Sequence, residues 1–277
     1  GTTQVLSGSG LSSSAAFEVL LGTILNHLFN DGKVSDVEIA QIAQAAENKF
    51  FGKPCGLLDQ MTSSVGSFVE IDFADPAKPV IEKLDFDFAS CGYALCIVDT
   101  GGSHSDLTDE YAAVRKEMES VAEYLGKSVL REVDEDEFMK NIADIRSSCG
   151  DRAVLRAMHF YGDNARVEKQ AAALKAGDFE TFKKYIIESG RSSYMYNQNV
   201  YSCKKTSERP AWLALSRSEK LLDGCGAWRV HGGGFAGTIQ AFVPLNKLDE
   251  YKDLMEKVFG SGSCYILSVR PVGGVEL

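Results

Sequence analysis

Gly8-Ser9-Gly10-Leu11-Ser12-Ser13-Ser14-Ala15-Ala16 stands directly before the first amphipathic run of the chain. Residues this small let a backbone approach a polyphosphate. The free N–H groups of a following helix start point at it, and serine hydroxyls reach phosphate or metal oxygens. The stretch therefore reads as a phosphate cradle. A lone glycine-rich turn more commonly just caps a helix, so the rest of the chain has to decide between the two readings.

Downstream, Phe17, Leu20, Leu21, Ile24, Leu25, Leu28 and Phe29 recur at helical spacing until Asn30-Asp31-Gly32 breaks the pattern, which predicts a buried helix over 11–29. Ser35 followed by Glu38 is a capping-box signature. Ile39, Ile42, Ala43, Ala46 and Phe50 continue that second helix to Gly52, with Glu47 near its end. β-prone runs at 67–73, 79–84 and 92–98 predict a small antiparallel unit. Helical spacing then covers 106–125, 135–142, 152–176 and 179–187, and the polar, Tyr/Ser/Asn-rich stretch 189–210 reads as a loop. A helix (211–222), strands (227–234 and 238–243), a helix (248–259) and a strand (264–269) complete an α+β pattern of a helix-flanked sheet.

The 277 residues are 44% hydrophobic, enough to bury a core. With 29 Lys and Arg against 39 Asp and Glu, the net charge of −10 repels a phosphate backbone at long range, which argues against a nucleic-acid partner. It does not argue against a nucleotide, because a local glycine turn, a helix start and a metal ion outweigh distant charge. The seven cysteines are an odd set without a C-x-x-C pair, as reduced cytoplasmic thiols would be. The four histidines stand far apart, so the spacing does not point to zinc. No apolar stretch approaches the roughly 20 residues that span a bilayer, so the expectation is a soluble cytoplasmic protein without a membrane partner.

Two further elements carry chemistry. In Cys55-Gly56-Leu57-Leu58-Asp59-Gln60 the aspartate, placed in an apolar setting beside a glycine turn, suits a general base or an orienter of a substrate hydroxyl. Most aspartates beside glycine are turn or cap residues, and Glu47 can equally be an ordinary helix carboxylate. In His231-Gly232-Gly233-Gly234-Phe235-Ala236-Gly237 three consecutive glycines imply either close backbone approach or a plain turn between strands.

In this order the elements resemble the GHMP kinase superfamily. Gly8 to Ala16 is similar to its G-x-G-L-S-S-S-A phosphate loop, and Val230 to Gly237 to its glycine-rich third motif. Within the superfamily the resemblance is closest to the galactokinase family. It rests on Ala46-Glu47-Asn48 with Pro54-Cys55-Gly56-Leu57-Leu58-Asp59-Gln60, on Val98-Asp99-Thr100-Gly101 followed by Tyr111 and Arg115, and on Glu168 to Phe179. The resemblance implies a GHMP kinase-like α+β fold, with residues 1–90 as the remainder of the N-terminal domain and 91–277 as a helix-flanked antiparallel-sheet C-terminal domain. It implies ATP and Mg²⁺ as cofactors, and phosphorylation of galactose or a close analogue at the anomeric hydroxyl, giving the sugar 1-phosphate and ADP.

By the same resemblance Gly8, Ser9, Gly10, Leu11, Ser12, Ser13 and Ser14 hold the ATP phosphates, and Ser14 and Glu47 hold the metal. Asp59 is the catalytic carboxylate, Gly56 and Tyr111 line the sugar site, and Gly232, Gly233 and Gly234 form a structural glycine motif. Three departures bear on sugar specificity: Asn48 stands where the family has His, Ala236 where it has glycine, and 194–210 is unlike its D-Y-E-V-S segment. The alternatives are a kinase for another hexose or an N-acetylhexosamine, a sugar- and ATP-sensing homologue without turnover, or an inert remnant. The uninterrupted Ser12-Ser13-Ser14-Ala15-Ala16 favours an enzyme. The family's first motif, similar to G-R-x-x-E-H-x-D, has no match before Gly8, so the expectation is that these residues belong to a longer kinase and are inactive alone.

Overall fold

The structure is a computed structural model that describes residues 12–52, 55–75, 77–102, 107–204, 206–235 and 237–276, with Thr108 as backbone only. It divides into two compact units, Gly1–Ala89 with Ser268–Leu277, and Ser90–Leu267. The resemblance implied one domain over 91–277; in the structure Ser268–Leu277 pack with the first unit. Ser67 N–H donates to the Arg270 carbonyl at 2.7 Å, and Lys83 Nζ to the Pro271 carbonyl at 2.7 Å. A Cβ added to Gly273 would sit 1.6 Å from the Ser64 carbonyl oxygen, so only glycine lets the returning chain lie this close.

In the first unit, α1 (Ser13–Asn30) and α2 (Asp36–Ala45) pack on α3 (Leu58–Val65), beside a two-stranded antiparallel ribbon of β1 (Phe68–Asp72) and β2 (Val80–Leu84). The capping box forms as the spacing requires, with Ser35 accepting from Glu38 N–H and the Glu38 carboxylate accepting from Ser35 N–H. α2 runs directly into a π-helical turn, 46–51, that ends at left-handed Gly52. The apolar stripe read on α1 is not buried: Phe17, Leu20, Leu21, Ile24, Leu25, Leu28 and Phe29 are all exposed. The buried face is Ala15, Val19, Thr23 and Asn26, because small side chains let α2 approach closely while Asn26 bonds the Val34 backbone at both N–H and C=O.

The second unit is built on a four-stranded antiparallel sheet in the order β4 (Ala227–Val230), β5 (Thr238–Pro244), β3 (Tyr93–Asp99) and β6 (Cys264–Leu267). β3 therefore belongs here and not with β1 and β2. Its alternate residues Ala94, Cys96 and Val98 join Trp228, Val230, Ile239, Ala241 and Val243 in a core covered by α9 (Pro210–Leu222) and α10 (Leu248–Phe259). A second core lies among α4 (Thr108–Tyr124), α5 (Glu135–Lys140), α6 (Ile142–Cys149) and α7 (Asp151–Lys175), around Val121, Phe138 and Ile145.

α8 (Phe179–Ser192) covers β4 and continues through a second π-helical turn, Ser193–Asn197, so residues 189–197 are helical where a loop was expected. Its buried Lys183 donates to the Tyr93 hydroxyl at 2.5 Å and the Cys225 carbonyl at 2.9 Å, pinning α8 to β3 and to the approach to β4. Arg156, fully buried on α7, pairs with Glu117 at 2.9 Å and donates to the Asn197 carbonyl at 3.1 Å, so the end of the π turn is anchored by a charge that has its partners. Among the described residues no helix is long and apolar enough to cross a membrane.

Candidate functional site

Gly8, Ser9, Gly10 and Leu11 lie outside the described residues; of the first unit's other expected site residues, Ser12 meets Asp59 and Ser14 meets Glu47. Ser12 opens α1 in a left-handed conformation (φ 48°, ψ 57°), which a non-glycine residue adopts only at a cost. Its hydroxyl donates to Asp59 Oδ2. One turn into the helix, Ser14 Oγ donates to Glu47 Oε1 at 3.0 Å. Glu47 is 2% exposed and is carried by the π-helical turn. Turns of this kind inside helices recur at functional sites.

A carboxylate this buried needs partners, and the second oxygen has one: Gln60 Nε2 donates to Glu47 Oε2 at 3.0 Å. Gln60 is itself 1% exposed and also donates to Cys55 Sγ at 3.4 Å. Burial and the neighbouring Glu47 carboxylate push the Cys55 thiol up to about 11. The loop carrying Cys55 is clamped by Asn48, whose Oδ1 accepts from Cys55 N–H at 2.7 Å while Gln44 Nε2 donates to the Cys55 carbonyl at 3.2 Å. Asn48, the residue that departs from the family pattern, thus holds backbone.

Asp59 stands in the first turn of α3 and is exposed, not enclosed in an apolar setting. Gly56 is also exposed, and a Cβ there would meet nothing within 4 Å, so its freedom is not needed for packing. Sequence reasoning overlooked Gln60 as a partner of Glu47. The pairing was readable only as a polar residue one step beyond Asp59 on a helix whose next residue, Met61, is buried.

In the second unit the glycine motif meets Tyr111. The tyrosine hydroxyl donates to the Gly234 carbonyl at 2.6 Å, its ring packs edge-on against Phe235 at 5.2 Å, and burial pushes its pKa up to about 12. A Cβ on Gly233 would lie 2.5 Å from the Tyr111 ring, and one on Gly234 would lie 2.0 Å from the Asn199 carbonyl oxygen. Close approach is thus real at Gly233 and Gly234; Gly232 contributes only a left-handed turn, with nothing within 4 Å. Beside them the Asp99 carboxylate accepts from Gly101 N–H at 2.9 Å and Thr100 bonds the Gly237 carbonyl from both N–H and hydroxyl, so the Val98-Asp99-Thr100-Gly101 stretch is tied to β5. Ala236 lies outside the described residues.

As a donor set, Ser14 and Glu47 offer one hydroxyl and two carboxylate oxygens, hard ligands of the type magnesium takes in small number beside substrate phosphates. Among the described residues no three His, Cys, Asp or Glu side chains cluster as metal ligands.

Residues 2–67 match the family described as GHMP kinases N terminal domain. The chain is 30% identical over 254 residues to a galactokinase of Actinobacillus pleuropneumoniae, covering 92% of this chain and 63% of that protein. It is 31% identical over 270 residues to the galactokinase of Homo sapiens, covering 98% of this chain and 65% of that protein. The chain therefore spans less than two thirds of the length of these relatives. Among solved structures, the galactokinase of Lactococcus lactis complexed with galactose superposes with a TM-score of 0.76 at 24% identity, covering 99% of this chain and 69% of that one, a likeness of fold. Residues 2–67 thus match the GHMP kinase N-terminal domain, and over nearly its whole length the chain is similar to galactokinases.

Proposed function

We propose that the protein transfers the γ-phosphoryl group of ATP to the anomeric hydroxyl of galactose, giving galactose 1-phosphate and ADP. The observation that carries this reading is the convergence of Ser12 with Asp59, and of Ser14 with Glu47 and Gln60, at the start of α1. Phosphoryl transfer asks a protein mainly for positioning and for neutralisation of charge. The loop from Gly8 to Ser14 cradles the phosphates, its hydroxyls and the helix start facing them.

Ser14 and Glu47 hold Mg²⁺, which when bound supplies positive charge to the phosphate oxygens. Gln60 keeps the Glu47 carboxylate from rotating away. Asp59, hydrogen-bonded to Ser12, orients the sugar hydroxyl and accepts its proton as the oxygen attacks. Gly56 and Tyr111 take the sugar-lining roles that the resemblance assigns, with Tyr111 fixed by the Gly234 carbonyl. Seven free cysteines support a reducing, cytoplasmic setting, and the net charge of −10 supports small-molecule partners over nucleic acid.

The test is a coupled assay of ADP release with galactose, other hexoses and N-acetylhexosamines as acceptors. In the longer kinase that the resemblance implies, galactose-dependent turnover is expected, and Asp59→Asn is expected to lower it on the order of a hundredfold or more while ATP affinity stays nearly unchanged. Turnover that survives the substitution would remove Asp59 from the mechanism. Preference for another acceptor would replace galactose.

A further inference from the structure

In the second unit α8, the π-helical turn that follows it, α9 and β4 bound a cavity of about 240 Å³ that no step of the proposed reaction uses. That is smaller than the roughly 300–1,000 Å³ of drug-sized sites, so the molecule it admits is small. Ile187, Leu215 and the largely buried Trp228 form its apolar floor, and the partly exposed Tyr194 and Trp212 one wall. The wall is held in place from behind. Trp212 lies 4.9 Å from Tyr194 and stacks on Tyr201 at 5.7 Å, and the Arg209 guanidinium sits 4.6 Å over the Tyr201 ring. An aromatic surface fixed before a ligand arrives loses little freedom when one binds. Tyr194 and Tyr201 also fall in 194–210, the stretch that departs from the family pattern and that the proposed transfer leaves without a role.

Two charges of opposite sign edge this cavity, Arg191 from α8 and Glu219 from α9. Both are exposed, and among the described residues neither side chain takes part in an ion pair or a hydrogen bond. The third charge there, Arg229, is already engaged: it donates to Ser189 Oγ at 2.7 Å and to the Val230 carbonyl at 3.2 Å. These charges limit the ligand. A phosphate or other simple anion would gain Arg191 and be repelled by Glu219. A simple cation would gain Glu219 and be repelled by Arg191 and Arg229. A small molecule that carries both signs satisfies both free groups, and the rings beside them take its apolar part.

We propose that this cavity binds a free aromatic α-amino acid as its zwitterion, with the carboxylate on Arg191, the ammonium on Glu219 and the side-chain ring against Tyr194, Trp212 and Trp228. A residue within a peptide has lost one or both of these charges, so the site takes the free molecule. The inference does not rest on the galactose reading. None of these residues belongs to the serine and carboxylate cluster of the first unit, and the test needs no phosphoryl transfer.

Both tryptophans of the 277 residues line the cavity, so tryptophan emission reports on it directly. Titration of the 277-residue protein with L-phenylalanine, excited where only tryptophan absorbs, is expected to change that emission saturably, with calorimetry giving the same dissociation constant. L-Leucine, N-acetyl-L-phenylalanine and L-phenylalaninamide lack the ring, the ammonium and the carboxylate in turn, and each should bind about tenfold more weakly or worse. Arg191→Gln and Glu219→Gln, surface changes first shown by their melting curves to be folded, should weaken phenylalanine to a similar degree. Crossing the two sets assigns the charges: Arg191→Gln should leave phenylalaninamide binding unchanged, and Glu219→Gln that of the N-acetyl form. No saturable response to phenylalanine, binding of leucine or of either blocked form as tight as that of phenylalanine, or phenylalanine binding indifferent to both substitutions would overturn the proposal.

Discussion

Glu47 is the residue on which the first unit's site turns, and its two carboxylate oxygens are held by different elements, Ser14 from α1 and Gln60 from α3. Gln60→Leu is similar in size but removes a donor from a buried carboxylate, which costs about 1–3 kcal/mol. A lower melting temperature is expected, together with a higher Mg²⁺ concentration for half-maximal turnover and an unchanged KM for galactose; an unaltered Mg²⁺ titration would reduce Gln60 to a packing residue. Cys55, raised to about 11 beside Glu47, stays a protonated thiol at neutral pH, and the thiolate is the nucleophile. Timed alkylation read by mass spectrometry should therefore label exposed Cys203 well before Cys55. At the glycine loop, Gly233→Ala drives a methyl into the Tyr111 ring and should cost about 1–3 kcal/mol of stability, read by denaturant unfolding.

Elements differ in how openly the sequence announces them. The spacing from Leu248 to Phe259 carries a strong apolar stripe and ends at glycine, and α10 has those bounds. Ser35→Ala should remove the capping box that marked α2 and lower stability by roughly 1 kcal/mol, measurable as a shift in the urea midpoint. The helical run through 189–197 was illegible for a physical reason. Its buried residues are Ser189, Ser192, Ser193 and Asn197, so the face it turns inward has no hydrophobic period. α1 misled in the opposite sense: a periodic stripe shows that a face is apolar, not that anything covers it. Leu28 and Phe29, 69% and 76% exposed, head that patch. Leu28→Glu with Phe29→Ser should reduce binding of a hydrophobic dye while shifting stability by less than about 0.5 kcal/mol per site. Ser14, Glu47 and Asp59 could be singled out from the sequence because their motifs are local. What joins them, a π-helical turn and the Gln60 amide, is set by packing between helices.

Across the molecule, tyrosines report burial. Tyr111 and Tyr161 are both pushed up to about 12, in each case first by desolvation, and Tyr251 is raised further in the core of the second unit. A phenol whose folded pKa exceeds its unfolded value near 10 keeps its proton longer when folded, so its contribution is complete below that pH and is lost as pH climbs toward the folded value. Stability should fall between about pH 10 and 12, and Tyr111→Phe should flatten part of that fall, as followed by denaturant midpoints across the range. The sheet order likewise could not be read from strands alone, since β3 pairs with β5 and β6 far along the chain and not with the ribbon that precedes it.

The return of Ser268–Leu277 to the first unit has a consequence for how the protein is made. A ribosome releases the whole of Ser90–Leu267, a contiguous unit able to fold as it emerges, before it releases the segment that places Gly273 on Ser64 and Arg270 on Ser67. The unit that begins before Ser90 is thus completed after the unit that follows it. Between those moments the helices bearing Ser14, Glu47 and Asp59 stand without their closing strap. A nascent-chain proteolysis series should find 90–267 protected at lengths where the preceding residues are still cut.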